Sequence, residues 1–179
     1  RWLSELLREQ GMEPYPARSE QSHTLAALAK QFEGLVETGD PVTVVGRVMS
    51  RRGQGALSFV DLFDGTGRFQ AVLKVDAMDE ANYQLFQAAV DQGDFIEVTG
   101  VCFTTQRGQP SVLASSWRML TKSLLPLPDE WYGLKDEDER FRKRYLDMLM
   151  NPEVREMVEQ KSRFWRVVRE FMQEQGFME

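Results

Sequence analysis

The sequence predicts a mainly β protein with helical attachments: a small five-stranded Greek-key barrel, two helices before it and a helical extension after it. Three observations lead there. Between Val42 and Leu120 the apolar residues alternate with polar ones in five short runs, the signature of half-buried strands. One run of helical period, residues 79–90, interrupts the series between the third and fourth strands. Turn-forming clusters, Asp64-Gly65-Thr66-Gly67 and Arg107-Gly108-Gln109-Pro110, separate the remaining runs.

Taken in order, residues 1–10 place Trp2, Leu3, Leu6 and Leu7 on one side of a short amphipathic helix that Gly11 stops. Pro14-Tyr15-Pro16 then forces an extended connection. Ser22 or Thr24 can cap a second helix to about Val36, with Leu25, Leu28, Ala29, Phe32 and Leu35 as its apolar stripe. Thr38-Gly39-Asp40-Pro41 ends it. Strand one follows over 42–49, and Gly46 within it predicts a bulge or sharp bend of the kind a small closed barrel requires.

Strands two and three form a hairpin over 57–75, tipped by Asp64-Gly65-Thr66-Gly67. Phe69, Ala71, Leu73 and Val75 share one face of strand three, so Gln70 falls on the other with Arg68 and Lys74. If Val60 and Leu62 point inward, Phe59 points outward beside Gln70. An aromatic ring, an amide and nearby arginines, Arg47, Arg51 and Arg52, then meet on one solvent-facing sheet surface. A single-stranded base needs such a surface, with a ring to stack on and polar groups to read its edge. Periodicity alone leaves the opposite assignment open, with Phe59 and Phe63 inward and Val60 outward. Strand four spans 95–103 and strand five 111–120. Five strands with a helix between the third and fourth is the order of the OB-fold, whose second and third strands and flanking loops bind oligonucleotides or oligosaccharides.

Composition narrows the partners. A chain of 179 residues with 42% hydrophobic residues can build a core. A formal charge of −6 argues against sequence-blind binding of polyanions, so a nucleic-acid contact should be short and specific. Cys102 is the sole cysteine, which excludes an intrachain disulfide and a cysteine-based metal site. His23 is the sole histidine and reads as solvated near a helix start. No run approaches the ~20 apolar residues of a membrane span, and nothing resembles a signal peptide, so a cytoplasmic location is expected.

Residues 123–138 read as a linker, with Pro126, Pro128, Gly133 and a solvated run Lys135-Asp136-Glu137-Asp138. A helix is expected over 139–150, with Phe141, Tyr145, Leu146 and Leu149 as its stripe. Asn151-Pro152 signals the start of a long helix to about Gln175, combining a capping side chain with proline at the first helical position. That helix is apolar over a wide arc, from Val154 and Met157 through Phe164, Trp165, Val168, Phe171 and Met172. Each large side chain left in water would forgo ~1.5–3 kcal/mol. The helix therefore calls for a partner, and the chain is expected to continue beyond both of its present ends.

The residues that follow strand five resemble one family closely. Leu120-Thr121-Lys122, Leu125-Pro126-Leu127-Pro128, Tyr132-Gly133-Leu134-Lys135-Asp136, Arg142-Lys143-Arg144-Tyr145-Leu146-Asp147, Asn151-Pro152-Glu153-Val154-Arg155, Arg169-Glu170-Phe171-Met172 and Gly176-Phe177-Met178-Glu179 are similar to bacterial-type lysyl-tRNA synthetases. The stretch from Gly46-Arg47 to Gln70 resembles that family's anticodon-binding barrel. Aspartyl- and asparaginyl-tRNA synthetases share the barrel and a related dimer helix, but generally lack the proline-flanked linker followed by Gly-Leu-x-Asp.

The resemblance implies N-terminal helices over 1–40, an anticodon-binding OB-fold over 41–122, a linker over 123–138 and the start of a class II catalytic domain over 139–179. It implies a tRNA with a uridine-rich lysine anticodon as partner, and a homodimer through the 152–175 helix. It implies that Phe59 stacks on an anticodon base, that Gln70 reads a base edge and that Arg52 contacts the same triplet. Gln109 stands where the family commonly has a glutamate that takes part in recognition. ATP and Mg²⁺ are expected only in the catalytic domain beyond residue 179, so no catalytic or metal-binding residue is expected here and this segment alone should be inactive. The rival is a free-standing OB module for single-stranded DNA or a protein partner, which would have no use for the long apolar helix.

Overall fold

The computed structural model describes residues 2–128 and 136–179. They fall into two compact units, residues 1–126 and 127–179. In the first, helices α1 (Trp2–Glu9) and α2 (Leu25–Thr38) precede five strands: β1 (Pro41–Gln54), β2 (Leu57–Phe63), β3 (Arg68–Lys74), β4 (Phe95–Thr104) and β5 (Pro110–Thr121). Helix α3 (Glu80–Ala89) joins β3 to β4. The strands close in the order β1-β2-β3-β5-β4, with every pair antiparallel except β3 and β5. This is the expected OB-fold barrel with its helix in the expected place.

The interior is filled by one face of each strand. Val42, Val44 and Val48 from β1 meet Val60 and Leu62, Ala71 and Leu73, Ile96 and Val98, and Val112 and Ala114, all buried. Helix α3 seals one side of this core with Tyr83, Phe86 and Ala89. Phe86 lies edge-on to Trp117 at 5.4 Å between ring centroids, and the Trp117 indole N–H donates to the Asn82 carbonyl at 2.9 Å. Helix α2 contributes Leu25 and Leu28 to the same core, while Phe32 reaches the Phe69 ring at 5.9 Å.

The start of α2 is held from two directions. Of the two capping candidates, Thr24 supplies the cap, accepting from Ala27 N at 3.2 Å. The β2–β3 hairpin tip supplies the rest: Asp64 Oδ2 accepts from Leu25 N at 2.8 Å and Thr66 Oγ1 from Ala26 N at 3.1 Å. These satisfy amides that the helix itself leaves unpaired. Asp64 also accepts through Oδ1 from its own turn, at Thr66 N and Gly67 N. Burial alone would raise its pKa, but this set of hydrogen bonds outweighs burial and holds the carboxyl below its usual value.

Two local expectations in the barrel are corrected. The irregularity in β1 lies between Val48 and Ser50, where the pairing with β2 shifts and Met49 is the extra, buried residue. Gly46 keeps its register with β4, opposite Ile96, and glycine is needed there for close packing, since a Cβ would sit 2.8 Å from Leu62 Cβ. The three arginines do not form one exposed patch either. Arg47 lies with its guanidinium 4.3 Å from the Phe95 ring centroid and donates to the Gly93 carbonyl. Arg51 turns to the end of α3, donating to the Val90 carbonyl at 2.7 Å and to that of Gln87 at 3.2 Å. Both cations are turned to backbone carbonyls rather than left as a basic patch.

The end of β5 is anchored by a buried cluster. Lys122 Nζ donates to the Ala89 carbonyl at 3.0 Å and pairs with Asp94 at 2.8 Å and Asp91 at 2.6 Å. Asp94 is wholly buried and also accepts from Ser123 N at 2.7 Å.

In the second unit, the helix expected over 139–150 is two helices, α4 (Glu137–Arg142) and α5 (Arg144–Met150), broken at Lys143. The acidic run is not plain linker: Asp136 caps α4 through Glu139 N at 2.8 Å, and Glu137 and Asp138 complement its dipole. The Tyr132–Lys135 part of the quoted resemblance, with Gly133 of the linker, lies outside the described residues. Helix α6 (Pro152–Glu174) starts where Asn151-Pro152 predicts, but the Asn151 side chain does not cap it. It turns back to Asp147 Oδ1 at 2.6 Å, completing a cage with Arg140 and Arg144 around that fully buried carboxylate. Burial alone would raise the Asp147 pKa, but the bonds from Asn151 and Arg140 and the charges of both arginines outweigh it and hold the carboxyl below its usual value.

Candidate nucleic-acid interface

Strand alternation settles which way the hairpin faces. Val60 and Leu62 are in the core at 0% and 1% exposure, so Phe59 and Asp61 lie on the outer surface of β2. On β3, Phe69, Ala71 and Leu73 fill the barrel and Gln70 and Val72 lie on the other face. The reading that put Phe59 inward is excluded.

Cross-strand register arranges the outer face in rows. Arg52 of β1 stands opposite Phe59, which stands opposite Val72, which pairs with Leu113 of β5. The neighbouring row runs Ser50, Asp61, Gln70, Ser111. Phe59 and Gln70 are therefore diagonal neighbours, about 7–8 Å apart and within reach of one ligand group. The sheet brings Phe59, Gln70 and Arg52 together as expected.

Each is held differently. Phe59 is half-buried on the outer face of β2. Gln70 departs from expectation, because at 8% exposure it is nearly covered rather than solvent-facing. Its Nε2 donates to Ser111 Oγ at 2.8 Å, and Ser111 Oγ donates to the Gln109 carbonyl at 3.2 Å. With one N–H committed to Ser111, the amide keeps its carbonyl oxygen as an acceptor oriented by that bond. Arg52 is exposed, 65% of its side chain in water, and its Nη2 lies 3.4 Å from Asp61 Oδ2.

Gln109 closes the β4–β5 turn at the edge of this face. Thr105 and Gln109 are bonded reciprocally, Thr105 N to the Gln109 carbonyl at 3.0 Å and Gln109 N to Thr105 Oγ1 at 3.0 Å. Gly108 takes φ +78°, a conformation that L side chains avoid. The Gln109 side chain is exposed, so only its backbone is tied to the Gln70 row, through Ser111.

Sequence reasoning missed Ser111, Asp61 and Ser50. Asp61 was within reach of it, since residues 59 and 61 share a face by simple alternation. Ser111 was not, because its place beside Gln70 depends on a parallel pairing between β3 and β5, 41 residues apart.

What the arrangement offers is a ring to stack on, an oriented acceptor and an unburied cation. Among the described residues no set of three His, Cys, Asp or Glu side chains could hold a metal ion. Cys102 is buried, and burial raises its thiol pKa away from reactivity. Among the described residues no helix is long and apolar enough to cross a membrane.

Comparison with known proteins places two family descriptions on the chain. Residues 42–120 match the OB-fold nucleic acid binding domain, and residues 136–179 match the class II tRNA synthetases (D, K and N). Among curated relatives, the lysine–tRNA ligase of Pelotomaculum thermopropionicum is 41% identical over 97% of this chain and 34% of its own length. That of Carboxydothermus hydrogenoformans is 42% identical over 99% of this chain and 36% of its own. That of Roseiflexus castenholzii is 39% identical over 98% and 36%. The chain thus spans about a third of the length of the curated relatives it matches.

Proposed function

From a chain that carries an OB-fold anticodon-binding domain followed by a segment of a class II (D, K and N) tRNA synthetase domain, we propose that the outer face of β1–β3 reads the anticodon of a lysine tRNA. The observation that carries this is the juxtaposition of Phe59 and Gln70 on one outer face, within one nucleotide's reach. A base stacked on Phe59 contributes ~1–3 kcal/mol. A uracil edge presents one N–H between two carbonyls, and the Gln70 oxygen is an acceptor suited to that N–H. Arg52 supplies donors to the uracil carbonyls on the other side of the ring. Gln109, at the margin, keeps an acceptor and adds a donor where the family has a carboxylate, and serves the flanking anticodon base.

The whole protein would then be a cytoplasmic lysine–tRNA ligase using ATP and Mg²⁺, with the chemistry in the remainder of its length. Homodimerisation through α6 belongs to the same reading. Phe164, Trp165 and Phe171 on that helix are 61%, 54% and 58% exposed, a surface suited to a second copy.

The test is competition binding with the 179-residue chain. A lysine anticodon stem-loop should outcompete the same loop with its middle uridine replaced, by ~1–3 kcal/mol. Equal binding of the two loops, or preference for plain single-stranded DNA, overturns the proposal in favour of a general OB module.

A further inference from the structure

Two side chains on the outer face converge on one oxygen of a third. Ser50 Oγ donates to Asp61 Oδ2 at 2.5 Å, and Arg52 Nη2 lies 3.4 Å from the same atom. Arg52 belongs to the Phe59 row and Asp61 to the Gln70 row, so the guanidinium is drawn diagonally from the ring toward the amide. The pair is 65% and 34% exposed, so solvent screens it and a ligand can displace it at little cost.

A carboxylate is out of place on a surface built for phosphate, which it repels. On a surface built for bases it has two uses. It commits the nearby cation to a fixed direction, and it denies that row to the nucleic-acid backbone. Phosphate contacts carry no sequence information, so excluding them from the row raises the share of binding that depends on base identity. Ser50 steadies the carboxylate from the β1 side, which keeps Oδ2 turned toward Arg52.

We propose that Asp61 is a positioning and specificity-determining residue of this face, holding Arg52 toward the base edge beside Gln70 and keeping phosphate off that row. This rests on the reading of the face as an RNA surface. Removing the charge frees Arg52 to neutralise a phosphate, so binding gains strength without gaining discrimination.

The experiment compares the 179-residue chain with Asp61→Asn, which keeps the shape and an acceptor for Ser50, and with Asp61→Ser, which removes the charge by another route. The probes are the lysine anticodon stem-loop and its middle-uridine-to-cytidine counterpart, titrated over a range of salt with folding checked by circular dichroism. Both variants should bind the cytidine loop several-fold more tightly than the parent does, and the preference for uridine should shrink. The slope of log K against log salt should steepen by about 0.7, the value of one added phosphate contact on a single strand. Adding Arg52→Ala to Asp61→Asn should return the slope to the parent's without restoring the preference. If the parent distinguishes the loops but both variants keep its slope and preference, the role of Asp61 is overturned. A uniform gain for both loops with no steeper slope overturns it equally. If the parent itself does not distinguish the loops, the RNA reading fails first.

Discussion

At the scale of the residue, Phe59 is supported by the sheet but lies outside the core. Phe59→Ala should therefore weaken binding of the lysine anticodon loop by ~1–3 kcal/mol and leave the melting temperature nearly unchanged. Fluorescence titration and a thermal melt on the same sample check both halves; a large drop in melting temperature would mean the ring supports the fold instead. Arg52→Ala should cost affinity mainly for loops with uridine, and a loss uniform across sequences would demote Arg52 to a phosphate contact. Gly46 makes a prediction of the opposite kind. A methyl there would press on Leu62 Cβ at 2.8 Å, so Gly46→Ala should destabilise the barrel by ~1–3 kcal/mol, read from urea unfolding.

At the scale of the element, the hairpin tip and α2 depend on one carboxylate. The Asp64 pKa in the folded chain lies below its ordinary 3.8, so the unfolded chain binds the extra proton. Its contribution to stability is present above pH 3.8 and is lost as pH falls through the lower folded value. Asp64→Asn should lower stability near neutral pH and flatten the acid limb of the urea midpoint against pH. The caged Asp147 shifts in the same direction in the other unit, and its share of the limb should persist in that variant. Elements were also where the sequence was most legible. Alternation with a helical run between strands three and four sufficed for the barrel, whereas the facing of Phe59 stayed open until the burial of Val60 and Leu62 fixed it. The break at Lys143 was hidden because Phe141, Tyr145, Leu146 and Leu149 keep a helical period across it, while Phe141 and Tyr145 remain exposed. The role of Asn151 was misread because a capping residue type is also a good partner for a buried carboxylate. The near-burial of Gln70 followed from Ser111, a partner that no local pattern announces.

At the scale of the whole molecule, α6 decides the behaviour in solution. Its exposed aromatic and aliphatic side chains continue past the glycine stop into Phe177 and Met178. The chain should self-associate at micromolar concentration, and Trp165→Glu together with Phe171→Glu should shift it toward monomer in sedimentation velocity. A parent chain that is monomeric under the same conditions would remove the dimer from the reading.

The hydrogen bond from Gln70 to Ser111 also sets a timetable. During synthesis the arginine and the ring emerge early, on strands that pair in sequence, whereas the serine that orients the amide leaves the ribosome 41 residues after the amide itself. A nascent chain halted before β5 would possess stickiness without literacy, and fluency in the code would arrive only as the last stave of the cask slid home.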